Sequence, residues 1–265
     1  MKIKKYLENF NLSNKLVFLV GGNGQIGSEV AKFLEDCEAK IIILDNDKLK
    51  IKSKNIKHHY FNCSNVFSIK KNVLKLVKLY GCPDILINTS YPTIKKKSKI
   101  NFKDIQLKDF QDDITFHLIS YCWIAKIISD CMVKNKKKGK IVMMGSIYGS
   151  LGQDINLYKN TNLTESFSYP IIKGGLVNFT RQMASYYGRF DIRVNLINSG
   201  GLYGKSKITD KKIDPKFLKR YEARLPMRRM GETSEVASCI IFLVSDASSY
   251  VTGEIFTVDG GWSII

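Results

Sequence analysis

What the chain lacks narrows it first. Its 265 residues include five prolines, two tryptophans and three histidines, and nowhere do proline, serine or glycine gather into a spacer that would divide it into two units. No period recurs, which excludes a solenoid or repeat array. No apolar run approaches the ~20 residues that a membrane span requires. The start, MKIKKYLENFNLSNKL, carries charge but no apolar h-region, which argues against a secretion signal. The six cysteines, at 37, 63, 82, 122, 131 and 239, include no CxxC pair, so reduced, buried thiols are expected, with no disulfide and no metal site. The expectation is a cytoplasmic protein of one domain, residues 1–265, with no membrane partner.

Acidic residues are also scarce. There are 24 Asp and Glu against 42 Lys and Arg, a formal net charge of +18. The densest basic stretches are NDKLKIKSKNIKHH, TIKKKSK and VKNKKKGK. Lysine far outnumbers arginine, and no aromatic residues interleave with these runs as a base-stacking platform would need. A solvated lysine-rich surface is therefore the reading, and nucleic acid is not an expected partner. The positive field would still draw in an acidic or phosphorylated small molecule.

Present instead are short apolar runs rich in β-branched residues, at 16–20, 40–45, 58–62, 84–88, 140–146, 192–198 and 254–261. Between them lie helical periodicities at 26–36, 66–80, 110–134, 169–187 and 234–245. Strand alternating with helix predicts an α/β fold, a doubly wound and mainly parallel seven-stranded sheet with helices on both faces. In such sheets ligands bind beyond the carboxyl ends of the strands, so the residues there become the candidates.

The first candidate is VGGNGQIG, directly after the first strand. Gly21, Gly24 and Gly27 suit a tight turn, a backbone approach to a pyrophosphate and close packing of the next helix, whose N-terminus would face the anion. Asn23, Gln25 and Ile26 complete that turn. Asp45 ends the second strand about 20 residues on, where a carboxylate accepts hydrogen bonds from an adenosine ribose and repels a 2′-phosphate. NAD is thus the expected cofactor, with NADP left open. Asn88, in NTSYP, ends the fourth strand beside the same groove, and Ser146, in MMGSIYG, stands at the mouth of the fifth.

ESFSYPIIKGG, residues 165–175, places Tyr169 four residues before Lys173. The same spacing occurs at Tyr91/Lys95 and Tyr203/Lys207, but in loops rich in Pro or Gly that hold nothing rigid. Pro170 is tolerated in a first helical turn, and Ile171, Ile172, Leu176, Val177 and Phe179 continue a helix, so Tyr169 and Lys173 share one face. A nearby ammonium draws a phenol's pKa down from ~10, as a general acid/base needs.

The glycine turn, Asp45, Asn88, Ser146, Tyr169 and Lys173, IRVN before a glycine pair, and the closing RRMGETSEVASCIIFLVSDASSYVTGEIFTVDGGW together resemble the single-domain short-chain dehydrogenases/reductases, from about residue 14 onward. The long segment before Tyr169 and the SYP after the fourth strand are further similar to members linked to bacterial surface-sugar or flagellin modification. The resemblance implies a Rossmann-type fold and an NAD(P)-dependent oxidoreductase. Tyr169 would exchange the proton with the substrate oxygen, Ser146 would hydrogen-bond that oxygen, and Lys173 would lower the tyrosine's pKa and hold the nicotinamide ribose. Gly200 would face the cofactor, Asn62 would stand where an aspartate contacts adenine, and a homotetramer or homodimer would form through the long helices and the C-terminal segment.

The chain departs from the pattern at several places. Gln25 replaces the middle glycine of the turn, Thr89 the second asparagine after the fourth strand, and Ser199 a proline. Aligned by its tyrosine, DDITFHLISY puts Thr115 where the family has the asparagine of its proton relay. His117 is assigned to an interface helix, and all three histidines are read as structural. GSLGQDINLYKNTNLTE, between Ser146 and Tyr169, is longer than the usual connection and is expected to shape the pocket or a subunit contact. LYGKSKITDKKIDPKFLKRYEARLPMRR resembles the family's substrate lid. The expected substrate is a polar small molecule, a sugar or sugar phosphate. The rivals are a dinucleotide-binding but catalytically weak partner subunit, and a redox-neutral epimerase or dehydratase that retains NAD.

Overall fold

The computed structural model describes residues 6–47, 53–92, 101–204 and 213–265. Among them seven strands form one parallel sheet in the order β3-β2-β1-β4-β5-β6-β7: β1 (Leu16–Val20), β2 (Lys40–Asp45), β3 (Ile56–Tyr60), β4 (Ile85–Asn88), β5 (Lys140–Met144), β6 (Arg193–Ser199) and β7 (Ile255–Val258). The expected doubly wound, Rossmann-type sheet is what the chain forms. The order reverses between β1 and β4, where a crevice opens at the carboxyl ends of the strands.

Period-two alternation assigns each strand residue to one of two cores. Phe18, Val20, Ile42, Leu44 and Leu86 face α2 (Val66–Tyr80), α4 (Ser120–Lys134) and α5 (Ser168–Tyr187). Val17, Leu19, Ile41, Ile43, Ile85 and Ile87 face α1 (Gln25–Asp36) and α7 (Thr233–Val244). Both sets are almost wholly withdrawn from water. Each such side chain contributes ~1.5–3 kcal/mol by burial, so the sheet's carboxyl edge is a stiff platform for whatever follows each strand.

The predicted helix over 110–134 is longer and is interrupted. It begins as α3 (Leu107–Asp113), passes through a π-helical turn (Ile114–Ile119) and continues as α4. By length and composition Leu107–Lys134 meets the criterion for crossing a membrane, but over half of its most apolar stretch is buried in the fold. Against the expectation, β3 runs two residues earlier, and a further helix, α6 (Pro215–Arg224), lies in the lid-like segment. Asp214 caps α6 by accepting from Lys216 N at 2.9 Å and Phe217 N at 3.3 Å, with Pro215 in its first turn.

A third, smaller core joins α6 to the long segment before α5. Leu157 and Ile147 pack with Tyr221, Leu225, Met230 and Trp262. Tyr221 stacks on Trp262 with centroids 4.3 Å apart. The Arg220 guanidinium donates to the carbonyls of Asn156, Leu157 and Lys159, and Arg224 pairs with Asp154 at 2.9 Å. The inserted segment is therefore folded onto α6.

Candidate active site

The glycine turn is built by backbone constraints. Gly21 has φ +76°, and a Cβ there would lie 2.5 Å from Ser90 Cα, so only glycine fits between β1 and the chain leaving β4. A Cβ on Gly27 would stand 2.2 Å from Gly21 O, which fixes how closely α1 approaches the strand. Gly24 is the N-cap of α1, so unpaired amides of that helix face the crevice. Asp45 is 8% exposed and holds the turn in place. Its Oδ2 accepts from Asn23 N at 2.9 Å and its Oδ1 from Asp47 N at 3.0 Å, leaving lone pairs on both oxygens.

These residues open a cavity of about 370 Å³ lined by Gly21, Gly24, Gln25, Ile26, Asp45 and Asn62 among others. A dinucleotide fits this donor set. The glycines leave no side chain in the path of a pyrophosphate, helix amides face it, and a carboxylate stands one strand away. Asn23, Gly27 and Asn88 support the cavity from behind rather than lining it. Asn88 Oδ1 accepts from Ser90 N and Oγ, while its buried Nδ2 has no partner. Gly200 is likewise outside the lining: its N–H donates to Val258 O at 2.9 Å, and it is Leu202 that reaches the cavity. Gln25 does more than stand in for a glycine, since its Nε2 donates to Tyr203 O and ties the turn to the segment after β6.

Ser146, Tyr169 and Lys173 meet beyond the end of β5. Ser146 N donates to Asn198 Oδ1 at 3.1 Å, and Ser146 Oγ accepts from Tyr148 N at 3.3 Å and is near enough to the Tyr169 hydroxyl to draw its pKa down. Tyr169 occupies the first turn of α5, where its N–H donates to Ser166 Oγ at 3.2 Å and Ser168 donates to the Asp113 carboxylate. Lys173 Nζ lies 5.5 Å from the Tyr169 ring centroid and donates to Met144 O at 2.9 Å. The other Tyr/Lys spacings are not comparable here, because Lys95 and Lys207 lie outside the described residues.

The electrostatics differ from the expectation in one respect. Burial pushes the Tyr169 hydroxyl up and the Ser146 hydrogen bond opposes it, so the dominant influence is desolvation rather than the lysine. Lys173, 5% exposed, has its own pKa pushed down to about 8 by burial. One of its three ammonium donors is taken by Met144 O.

Thr115 is not brought to this group. Its hydroxyl donates to Gln111 O, one turn back on its own helix, at 2.7 Å. His117, from the same helix, is brought beside the group instead, stacked on Tyr91 and within reach of the Lys173 charge. It is 7% exposed, its buried Nδ1 has no partner, and burial together with the Lys173 charge holds its pKa near about 4, so the ring is neutral. The π-helical turn explains the difference: widening the helix between residues 114 and 119 rotates the preceding side chains, so a register counted back from Tyr121 at α-helical spacing is wrong. His117 accordingly projects inward, stacked on Tyr91 beside Tyr169, rather than out from its helix. His58 and His59 stay in β3, His59 edge-on to Tyr80.

Two tyrosines missed in the sequence flank Tyr169. The Tyr91 ring lies 6.1 Å from it and the Tyr148 ring 6.5 Å, both edge-on. Tyr91 stacks on His117 at 4.4 Å. The available signal was Pro92, which restricts the residue before it to extended conformations and so makes this loop stiffer than its composition implies.

Residues 22–263 match a family model described as enoyl-(acyl carrier protein) reductase. This chain belongs to the short-chain dehydrogenase/reductase family. Its relatives include the post-translational flagellin modification protein A of Campylobacter coli, 26% identical and covering 96% of this chain and 100% of that protein. A 3-oxoacyl-(acyl-carrier-protein) reductase of Buchnera aphidicola is 28% identical, covering 94% and 97%. Among solved structures, a short-chain dehydrogenase of Leptospira borgpetersenii with bound NAD+ superposes with a TM-score of 0.85 at 29% identity, covering 97% of this chain and 95% of that one. The protein is thus an NAD(P)-dependent oxidoreductase of this family.

Proposed function

We propose that the protein transfers a hydride between a nicotinamide cofactor and a hydroxyl or ketone carbon of a polar, sugar-like substrate, with Tyr169 as general acid/base. The observation that carries the reading is the meeting of Ser146, Tyr169 and Lys173 past the end of β5, beside a cavity shaped for a dinucleotide. In the oxidative direction the substrate hydroxyl gives its proton to Tyr169 Oη, and Ser146 Oγ hydrogen-bonds the substrate oxygen as it becomes a carbonyl. The nicotinamide, when bound, accepts the hydride from the same carbon. Tyr169 enters this step as the phenolate and leaves it as the neutral phenol, and Lys173 holds positive charge beside the phenolate before the proton arrives. In the reductive direction the proton returns from Tyr169 to the carbonyl oxygen.

Asp45 favours NAD, because its carboxylate would accept from a ribose hydroxyl and repel a 2′-phosphate. The sugar-like substrate is supported by the flagellin-modification relative and by the cations around the lid helix. The acyl-carrier relative marks the other substrate class worth assaying. We place the protein in the cytoplasm as one domain spanning 1–265. A homodimer or homotetramer is supported by half-exposed Ile119, Trp123 and Ile171 on the π turn, α4 and α5. The test is a spectrophotometric screen of sugars, polyols and acyl thioesters with NAD(H), run on wild type and Tyr169→Phe. Turnover in wild type only supports the reading. Cofactor binding with no turnover on any class overturns it in favour of a catalytically silent subunit.

A further inference from the structure

The segment that follows β4 is pinned more firmly than a surface loop requires. Thr89 Oγ1 donates to Val20 O at 3.0 Å and contacts Gly21 O at 3.2 Å. Ser90 donates twice to Asn88 Oδ1, and Tyr121 Oη donates to Ser90 O. Pro92 limits the backbone of residue 91 from the other side. The outcome is that one tyrosine, Tyr91, is presented on a rigid mount.

One face of that ring is covered by His117, 4.4 Å away and nearly parallel, and the Tyr169 ring lies 6.1 Å away with its plane turned by 68°. Yet Tyr91 remains 47% exposed and lines the cavity. That open surface belongs to the dinucleotide cavity where it adjoins Tyr169, so a substrate meeting the bound cofactor there would pass over it. Tyr148 stands on another side of Tyr169, with its ring 6.5 Å away.

Building on the reading of Tyr169 as the acid/base, we infer that Tyr91, backed by His117, is a specificity-determining wall that selects substrates whose reacting carbon belongs to a saturated polar ring. An aromatic face carries partial negative charge and attracts the partly positive C–H groups that a pyranose or cyclitol presents on one flat side. An open-chain polyol offers no such preformed face and must freeze several torsions to imitate one. His117 keeps the mount apolar on the covered side because its ring is neutral there, with the Lys173 charge and desolvation both opposing protonation. Asp113 and Lys173 are the charged groups nearby, on α3 and α5.

The test uses the whole chain with NAD+ and two matched probes, myo-inositol as the ring and sorbitol as the open chain. Binding is followed by saturation-transfer NMR and turnover by NADH formation, on wild type, Tyr91→Phe, Tyr91→Ala and Tyr169→Phe. The expected result is stronger binding of the ring probe, weakened about tenfold by Tyr91→Ala and kept by Tyr91→Phe, with binding but no turnover in Tyr169→Phe. Equal binding of the two probes, failure of both to bind, or indifference to Tyr91→Ala overturns the inference. Ring-selective binding that depends on Tyr91, with no NADH formed from any substrate by wild type, leaves the inference standing and counts against the hydride-transfer reading instead.

Discussion

The two ends of the site are made of different materials. At the Gly21 and Asp45 end the shape comes from backbone: a left-handed glycine, a helix N-terminus, and a carboxylate that braces the turn through main-chain amides. At the Tyr169 end, beside the cavity, it comes from side chains delivered by four separate stretches, Tyr91 after β4, which also lines the cavity, His117 from a π turn, Ser146 after β5, and Tyr169 with Lys173 from α5. Backbone geometry depends on a few residue types at fixed spacing, so the first end tolerates little change. The second can be changed one side chain at a time, and that is where substrate choice is able to reside.

The largest effect expected from a single substitution lies at the side-chain end. Tyr169→Phe removes the proton carrier but leaves the dinucleotide cavity intact, so kcat should fall by roughly 10²–10⁴-fold while stabilisation by NAD+ is retained. Loss of both together would mean that the two ends are not separable. Next in size is Gly27→Val at the backbone end. Its Cβ would sit 2.2 Å from Gly21 O, so the helix must move away from the turn. Overpacking of this kind costs ~1–3 kcal/mol, and thermal unfolding with and without NAD+ should show a lower melting temperature and no response to cofactor.

A pH effect separates the ends further. Lys173 has a pKa of about 8 in the folded chain, against ~10.4 for an unperturbed lysine. Between those values the unfolded chain holds more protons than the folded one, so stability should rise as pH climbs from 8 toward 10. Lys173→Met should flatten that rise and leave neutral-pH stability no lower than wild type. An unchanged slope in denaturant titrations across this range would contradict the assignment of a buried, charged lysine. The smallest effect belongs to Arg220→Ala, which frees the carbonyls of Asn156, Leu157 and Lys159. At ~1 kcal/mol per lost hydrogen bond or less, it should speed amide exchange across residues 150–166 and raise KM with little change in kcat.

The same division explains what could be read from the sequence. The sheet was legible because buried parallel strands are short continuous apolar runs, as in LVFLV and KIIILD, and the glycine turn because its spacing is fixed by sterics. Tyr169 and Lys173 were legible because Pro170 and the apolar residues after it mark a helix start. His117 was not, because nothing in DDITFHLISY announces a π turn, and counting at α-helical spacing pointed to Thr115. Tyr91 was hidden by the assumption that a Pro-containing loop is slack, whereas four side chains pin it. The helix α6 was obscured by the cationic, weakly apolar stretch KFLKRYEAR, whose few apolar residues find partners far off in the chain, in the inserted segment before α5 and at Trp262.

The most direct test of the central claim, that the crevice at β1 and β2 holds NAD beside Tyr169, is thermal stabilisation by NAD+, NADH, NADP+ and NADPH, each on wild type and on Asp45→Ala. Ligand at about a hundred times its Kd adds ~2.7 kcal/mol to the native state. The account predicts that NAD(H) raises the melting temperature of wild type more than NADP(H) does, and that Asp45→Ala narrows or reverses the difference. No shift with any of the four would contradict it.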